Sequence, residues 1–183
     1  MSATYRIFGA ELSPYSVKVR SYLRYKAIPH EWIVRNAENE AEFRQHAKLP
    51  LIPLVITPEG TVLQDSTPII DILEAQHPTP SIHPDDPALA FLSVLLEEYA
   101  DEWANKPMFH YRWWYEADQQ SAAGRLAEAM FPQLADAERD GAMEMIKSRM
   151  IPRLSLVGSK AETQAQIEGF FQRQITLLSA HLR

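Results

Sequence analysis

Short apolar runs alternate with amphipathic stretches over the first 78 residues. The runs are rich in β-branched and aromatic residues and have the length of strands, whereas the stretches between them follow the helical period. The predicted strands are 4–8, 31–35, 53–57 and 61–64, and the predicted helices are 14–26, 39–47 and 65–77. The order is therefore β-α-β-α-β-β-α. Because a helix joins the first two strands, we expect them to be parallel, and the tight Pro58-Glu59-Gly60 turn predicts a hairpin for the last two.

Beyond a proline-rich stretch, every apolar pattern has the helical period. Prolines recur between residues 78 and 87, which indicates a stiff linker. Two apolar stripes then predict amphipathic helices, with an interruption at Lys106-Pro107. The stripes are Leu89, Leu92, Leu96, Tyr99 and Trp103, and Ile167, Phe171, Ile175, Leu178 and Leu182. The predicted organisation is an α/β domain over 1–78, a linker over 79–86 and an all-helical domain over 87–183.

Two helices are predicted to begin with a capping box. In this motif a side chain at the N-cap and another three residues later bond each other's backbone. Asn39 with Glu42 has this spacing, and so has Ser159 with Glu162.

Composition narrows the classes of function. The chain has 183 residues, a net charge of −6 and no cysteine. The acidic balance and the lack of a Lys/Arg run make nucleic acid or an anionic membrane unexpected partners. The missing cysteines exclude disulfides, thiolate metal sites and a cysteine nucleophile. Without a signal pattern or a long apolar run, we expect a cytoplasmic protein that does not span a membrane.

Ser13-Pro14 marks a candidate anion site. Ser13 stands at a predicted N-cap directly after a strand, and Pro14 occupies the first helical position. Unpaired backbone N–H groups and the positive end of the helix dipole surround the hydroxyl, which suits a thiolate, carboxylate or phosphate. The alternative is that Ser13 only caps its helix. Pro53 and the Asp65-Ser66 pair belong to the same site, because strand ends and helix N-termini meet at one edge of an open α/β sheet.

These motifs resemble the glutathione S-transferase superfamily. Ser13-Pro14-Tyr15-Ser16 is similar to the C-P-Y-C of glutaredoxins with both cysteines replaced, and it looks like the serine-type transferase classes. Ile52-Pro53-Leu54 matches the family's V/I-P-x-L, whose proline is cis. Gln64-Asp65-Ser66 stands where the family has Glu-Ser or Asp-Ser. The resemblance implies a thioredoxin-like N-terminal domain, a helical C-terminal domain and a homodimer.

The resemblance also implies roles for particular residues. Ser13 would donate a hydrogen bond to the glutathione sulfur and stabilise its thiolate, which is the nucleophile. The backbone of Ile52, exposed by a cis Pro53, would pair with the cysteinyl part of glutathione. Asp65 would bind the ammonium of the γ-glutamyl end, and Ser66 with its helix N–H groups would bind the carboxylate.

The chain departs from the family pattern at three points. Related classes often have a lysine directly before the V/I-P pair, where this chain has Leu51, so Lys48 is the candidate for the glycyl carboxylate. Ser16 replaces the resolving cysteine of glutaredoxins, which excludes dithiol exchange. Family members usually continue past a helix like the last one here with a G-G-x-x-S-x-A-D-x segment and a further buried helix. The resemblance therefore implies an incomplete helical domain.

An aromatic stretch supplies the candidates for electrophile binding. The family binds electrophiles between its domains, and aromatic walls suit apolar compounds. The residues so implied are Tyr15, Phe109, His110, Arg112 and Trp113. The alternative for each aromatic residue is a place in the core or in a dimer contact.

No metal or nucleotide is expected. The carboxylates of Glu97, Glu98, Asp101 and Glu102 lack a Glu-x-x-His partner, which favours a solvated helix face over a metal site. The chain has no GxGxxG motif and no P-loop.

The hypothesis is a glutathione transferase that joins the glutathione thiolate to an apolar electrophile. The alternative is a glutathione-binding or protein-interaction module with the same fold and no turnover. A glutathione-dependent reductase or peroxidase is less favoured, because serine cannot form a mixed disulfide.

Overall fold

The computed structural model describes residues 4–182, and the contacts between them divide the chain into two units. The first unit is Met1–Pro84 with Glu128–Gln133, and the second is Asp85–Ala127 with Leu134–Arg183. The domain limits that the sequence predicts, 1–78 and 87–183, stay a prediction.

One four-stranded mixed sheet forms the centre of the first unit. The strands are β1 (Tyr5–Gly9), β2 (His30–Val34), β3 (Leu54–Ile56) and β4 (Val62–Gln64). Their order across the sheet is β2-β1-β3-β4, with β1 and β2 parallel and the other two pairs antiparallel. The predicted parallel pair and the predicted hairpin are both confirmed.

Helices cover both faces of this sheet. They are α1 (Pro14–Tyr25), α2 (Glu40–His46) and α3 (Ser66–Gln76). Since neighbouring residues of a strand point to opposite faces, Ile7 and Val55 pack with the buried sides of α1 and α3. Phe8 and Leu54 pack on Phe43 of α2 at the other face. This is the thioredoxin-like arrangement that the sequence predicts.

A buried ion pair at the end of α1 connects this helix to α3 and to the segment after it. The Lys26 ammonium lies 2.6 Å from Glu74 Oε2 and 2.6 Å from the carbonyl oxygen of His77, and it also donates to the carbonyl of Pro80. The Tyr22 hydroxyl donates to the same carboxylate at 2.9 Å. Because the ammonium meets a carboxylate and two backbone carbonyls, its charge is compensated although its side chain is fully buried.

Helices make up the second unit. They are α4 (Pro87–Tyr99), α5 (Asn105–Trp113), α6 (Glu116–Met130), α7 (Asp136–Met150) and α8 (Gln164–His181). Five π-helical residues (Ala100–Ala104) connect α4 to α5, and a 3-10 segment (Ile151–Val157) follows α7. Trp113 is the largest buried side chain here and packs with Ala122, Ala127, Ile146 and Leu154. The predicted helical second half is confirmed.

The apolar stripe of α4 is helical, but it does not form a core. Leu89, Leu92, Leu96 and Trp103 are each between 48% and 58% exposed. Periodicity therefore predicted the helix correctly, but no residue within 4–182 buries these four side chains. Lys106-Pro107 does not interrupt the helix as predicted, because the π-helical turn precedes it and Pro107 lies in the first turn of α5, where a missing N–H is tolerated.

Neither predicted capping box forms. Asn39 precedes α2, but its side chain accepts from the backbone N–H of Asn36 and makes no cap hydrogen bond. Ser159 lies five residues before α8, whose N-cap is Thr163. The Ser159 hydroxyl lies 2.7 Å from His110 Nδ1 instead. In both cases a competing partner has taken the side chain that the motif needs.

Candidate functional site

Three neighbouring strands bring the candidate segments to one edge of the sheet. Phe8, Leu54 and Gln64 are partners across β1, β3 and β4. The loop to α1 leaves the end of β1, the Ile52–Pro53 bond precedes β3, and α3 begins directly after β4. The segments that this register places side by side carry Ser13, Ile52, Pro53, Asp65 and Ser66.

Ser13 caps α1 and keeps its own proton available. It has extended backbone angles, and its Oγ accepts from the backbone N–H of Ser16 at 3.3 Å. This is the only hydrogen bond that the Ser13 side chain makes within residues 4–182. Ser13 is half-buried as a residue, and Pro14 occupies the first helical position. Capping uses the oxygen as an acceptor, so the O–H can still donate to an anion.

The strand β3 is preceded by a cis peptide bond. Ile52–Pro53 is cis, as the resemblance implies. Pro53 is buried and Ile52 is half-buried.

Gln64 forms hydrogen bonds to the loop that precedes this cis bond. It was not among the site residues that the sequence predicts. Its side-chain oxygen accepts from the backbone N–H groups of Lys48 (3.1 Å) and Leu49 (3.2 Å). Its amide donates to the carbonyls of Leu49 (2.7 Å) and Leu51 (2.8 Å). Lys48 belongs to this loop and is exposed. The signal in the sequence was an amide directly before Asp65-Ser66, but its partners lie about fifteen residues away.

The Asp65 carboxylate at the start of α3 does not cap the helix. Asp65 is exposed, has a φ of 77°, and makes no side-chain cap hydrogen bond. Ser66 follows it and is buried. Lys18 of α1 donates to the hydroxyl of Thr67 at 3.2 Å, which links the first turn of α3 to α1. An exposed carboxylate beside helix N–H groups offers opposite charges to a ligand that carries both an ammonium and a carboxylate.

The predicted electrophile residues differ in burial. Tyr15 in the first unit and Phe109 and Arg112 in the second are half-buried. Burial, and then the charge of Arg125, hold the pKa of Arg112 below its usual value. His110 and Trp113 are fully buried inside the second unit. Their predicted place in a pocket open to an electrophile does not fit this burial.

A hydrogen-bond network accounts for the burial of His110. Its Nδ1 lies 2.7 Å from Ser159 Oγ and its Nε2 lies 3.5 Å from Glu168 Oε1, while its ring stacks on Trp114. The Tyr115 hydroxyl donates to the same carboxylate, which lowers the pKa of Glu168. His110 thus links α5 to α8 and to the turn before it.

The described residues show neither a metal cluster nor a membrane span. Across 4–182, no three His, Cys, Asp or Glu side chains are arranged to hold a metal ion. Within the same range, no helix is both long and apolar enough to cross a bilayer.

Comparison with known families decides the relationship. The family described as glutathione S-transferase, N-terminal domain, matches residues 7–81, which cover the whole sheet apart from the start of β1. Over residues 7–81 the chain is therefore similar to the glutathione S-transferase N-terminal domain.

Relatives agree with this assignment. Glutathione S-transferase omega-1 of Mus musculus is 28% identical over 83 residues, which are 45% of this chain and 35% of the mouse protein. The chain thus matches about a third of the length of this curated relative.

Solved structures extend the likeness to the whole fold. A glutathione S-transferase from Methylobacterium radiotolerans, in complex with glutathione sulfonate, is 21% identical with a TM-score of 0.53, covering 93% of this chain and 90% of its own. A glutathione transferase homologue from Sulfitobacter with bound glutathione is 14% identical with a TM-score of 0.52, covering 94% and 92%. Ure2p in complex with glutathione is 18% identical with a TM-score of 0.51, covering 87% and 75%. At these identities the likeness establishes the glutathione S-transferase fold.

Proposed function

We propose that this chain binds glutathione at the edge of the sheet and transfers its thiolate to an apolar electrophile. The observation that carries the proposal is the register of Phe8, Leu54 and Gln64, which aligns all three candidate segments. The glutathione in related structures of the same fold supports it.

Ser13 would activate the thiol. Its O–H would donate to the sulfur while its oxygen keeps the cap hydrogen bond from Ser16. This charge-assisted hydrogen bond and the N-terminal end of α1 both favour the thiolate, so the pKa of the bound thiol falls and more of the nucleophile is present. Once the thiolate is formed, holding an electrophile beside it supplies the remaining acceleration through proximity.

The remaining groups would hold the tripeptide in place. The backbone of Ile52, with the cis Pro53 after it, would pair with the cysteinyl residue in the manner of a β-strand. Asp65 would bind the γ-glutamyl ammonium, and Ser66 with the N–H groups of α3 would bind the carboxylate. Lys48, an exposed residue of the loop held by Gln64, would bind the glycyl carboxylate.

Tyr15, Phe109 and Arg112 remain the candidates for electrophile binding. Their partial exposure supports this role. Arg112 forms no ion pair with a described residue, which leaves its charge available to a polar substituent.

We also propose a homodimer in the cytoplasm. Exposed apolar side chains on α4, including Phe91, Leu92 and Leu95, support pairing with a second copy. The lack of cysteine is compatible with a reducing compartment, where glutathione is kept reduced.

Calorimetric titration with glutathione tests the proposal. We expect a dissociation constant in the micromolar to millimolar range for the wild-type chain. Asp65→Ala should weaken binding clearly, because the ammonium loses its partner. Ser13→Ala should leave binding largely intact and lower the rate of conjugation. Absence of binding by the wild-type chain would refute the assignment of the site.

A binding module without turnover is the second candidate. The full burial of His110 and Trp113 favours it, since two of the five residues predicted for the electrophile are unavailable. A panel of halo-aromatic, epoxide and peroxide substrates separates the candidates. Turnover of any of them that depends on Ser13 supports the transferase, whereas glutathione binding with no turnover across the panel supports the module.

A further inference from the structure

The turn that carries Ser13 is held by side chains from outside it. The backbone N–H of Ser13 donates to the carbonyl of Ala10 at 3.0 Å, so Ala10 to Ser13 form a closed turn with Glu11 near its tip. The turn begins directly after Gly9, where an added Cβ would lie 2.4 Å from the ring of Trp32. Gly9 is therefore closely packed on Trp32, and a hydrogen bond closes the turn at Ser13.

Arg20 of α1 is connected to this turn by a salt bridge to Glu11. Arg20 Nη1 lies 2.5 Å from Glu11 Oε1, and Nη2 lies 2.8 Å from Oε2, which is the paired geometry of a guanidinium on a carboxylate. The Arg20 guanidinium itself lies 4.1 Å from the ring centre of Trp32. The Arg20 side chain is only 12% exposed, so packing restricts its position independently of the salt bridge to Glu11.

We propose that Arg20 is a positioning residue that acts through Glu11 to hold the Ser13 hydroxyl against the glutathione sulfur. The inference rests on the proposed function. Arg20 does not touch the sulfur in this role. Arg20 holds the turn that ends at Ser13, the residue that donates the hydrogen bond. If the turn loosens, the distance between the Ser13 hydroxyl and the thiolate varies over a wider range.

The measurable consequence is the pKa of the bound thiol. A weaker hydrogen bond from Ser13 raises that pKa, which lowers the fraction of thiolate at neutral pH. The ultraviolet absorbance of bound glutathione, titrated against pH, reports it directly. A loss of stability alone would not change this titration while the protein remains folded.

Arg20→Gln and Glu11→Gln should behave alike. Each removes the paired hydrogen bonds, so each should raise the thiol pKa and lower the neutral thiolate fraction on the order of threefold to tenfold. Arg20→Lys keeps the charge and loses the planar fork, so it should resemble Arg20→Gln. The double variant should be no worse than either single variant, because both remove the same contact.

Arg24→Gln is the matched control. Arg24 is an exposed cation one turn further along α1, and it acts on Glu11 only through its charge. We expect this variant to titrate like the wild-type chain.

Three results would overturn the inference. One is a thiol pKa in Arg20→Gln equal to that of the wild-type chain, and another is an equal shift in Arg24→Gln. The third is a lowered thiol pKa in Glu11→Gln, since the pair would then act through charge and not through position. If Arg20→Gln does not fold, Glu11→Gln decides, because it alters a half-exposed side chain. A wild-type chain that shows no bound thiolate would refute the proposed function itself.

Discussion

Breaking the buried Lys26–Glu74 pair should cost more stability than breaking an exposed ion pair of the described residues. Lys26→Met removes a fully buried ammonium that meets Glu74 at 2.6 Å and two backbone carbonyls. Removing one member of a buried pair typically costs about 3–5 kcal/mol, because the other charge stays behind without its partner. We expect about 3 kcal/mol, the lower end, since Glu74 keeps the hydrogen bonds from Tyr22 and from the backbone of Ile82.

Amide hydrogen exchange measures this effect within the first unit. Peptides that cover β1 and α1 report the free energy of opening for the sheet on which α1 packs. Arg44→Met is the control within the same unit, because the Arg44 side chain is 76% exposed in its i,i+4 pair with Glu40, and such pairs contribute about 0–1 kcal/mol. Replacing both members with apolar residues, Lys26→Met with Glu74→Leu, should recover part of the loss. Equal costs for Lys26→Met and Arg44→Met would refute the reasoning.

Three further predictions concern the site, its loop and the acid limit of stability. Ser13→Ala should lower the conjugation rate on the order of a hundredfold while glutathione still binds, measured by steady-state kinetics with titration calorimetry; an unchanged rate would contradict the assigned role. Gln64→Leu removes four hydrogen bonds to the loop 48–51 and should weaken glutathione binding about tenfold, whereas Gln119→Leu in the second unit should not. Hydrogen bonds from Arg35 and then Arg44 lower the pKa of Glu40 from 4.5 to about 2, so its stabilisation is complete above 4.5 and is lost as the pH falls towards 2. Glu40→Gln should therefore destabilise the chain at neutral pH and flatten this part of the acid denaturation curve; an unaltered acid limb would contradict the lowered pKa.

Local signals in the sequence predicted the fold well. Ser13-Pro14 satisfies a helix start within a few residues, so its role as a cap could be inferred from neighbours alone. The hairpin turn and the first strand are similarly local signals, and both elements were confirmed. Local rules fail where a nearby group competes for the same side chain. The backbone N–H of Asn36, for example, bonds the Asn39 side chain that the capping box needs.

Long-range partners limited what could be inferred about the site. Gln64 bonds a loop that the sequence places more than a dozen residues before it, and no short motif encodes that contact. Periodicity likewise predicts that Leu92 and Leu96 share a helix face, but it does not say whether anything covers that face. The burial of His110 depends on Ser159 and Glu168, which lie about fifty residues further along.

The alignment of Phe8, Leu54 and Gln64 also couples ligand binding to the assembly of the sheet. A shift of β3 by one residue would turn its side chains to the opposite face and move the cis bond away from both neighbouring segments. A tripeptide that contacts all three segments would therefore bind only the correctly paired sheet. At a hundred times its dissociation constant, such a ligand would stabilise that pairing by about 2.7 kcal/mol. Glutathione would then favour the correct strand register, and a higher glutathione concentration would lower the fraction of molecules whose first unit is open.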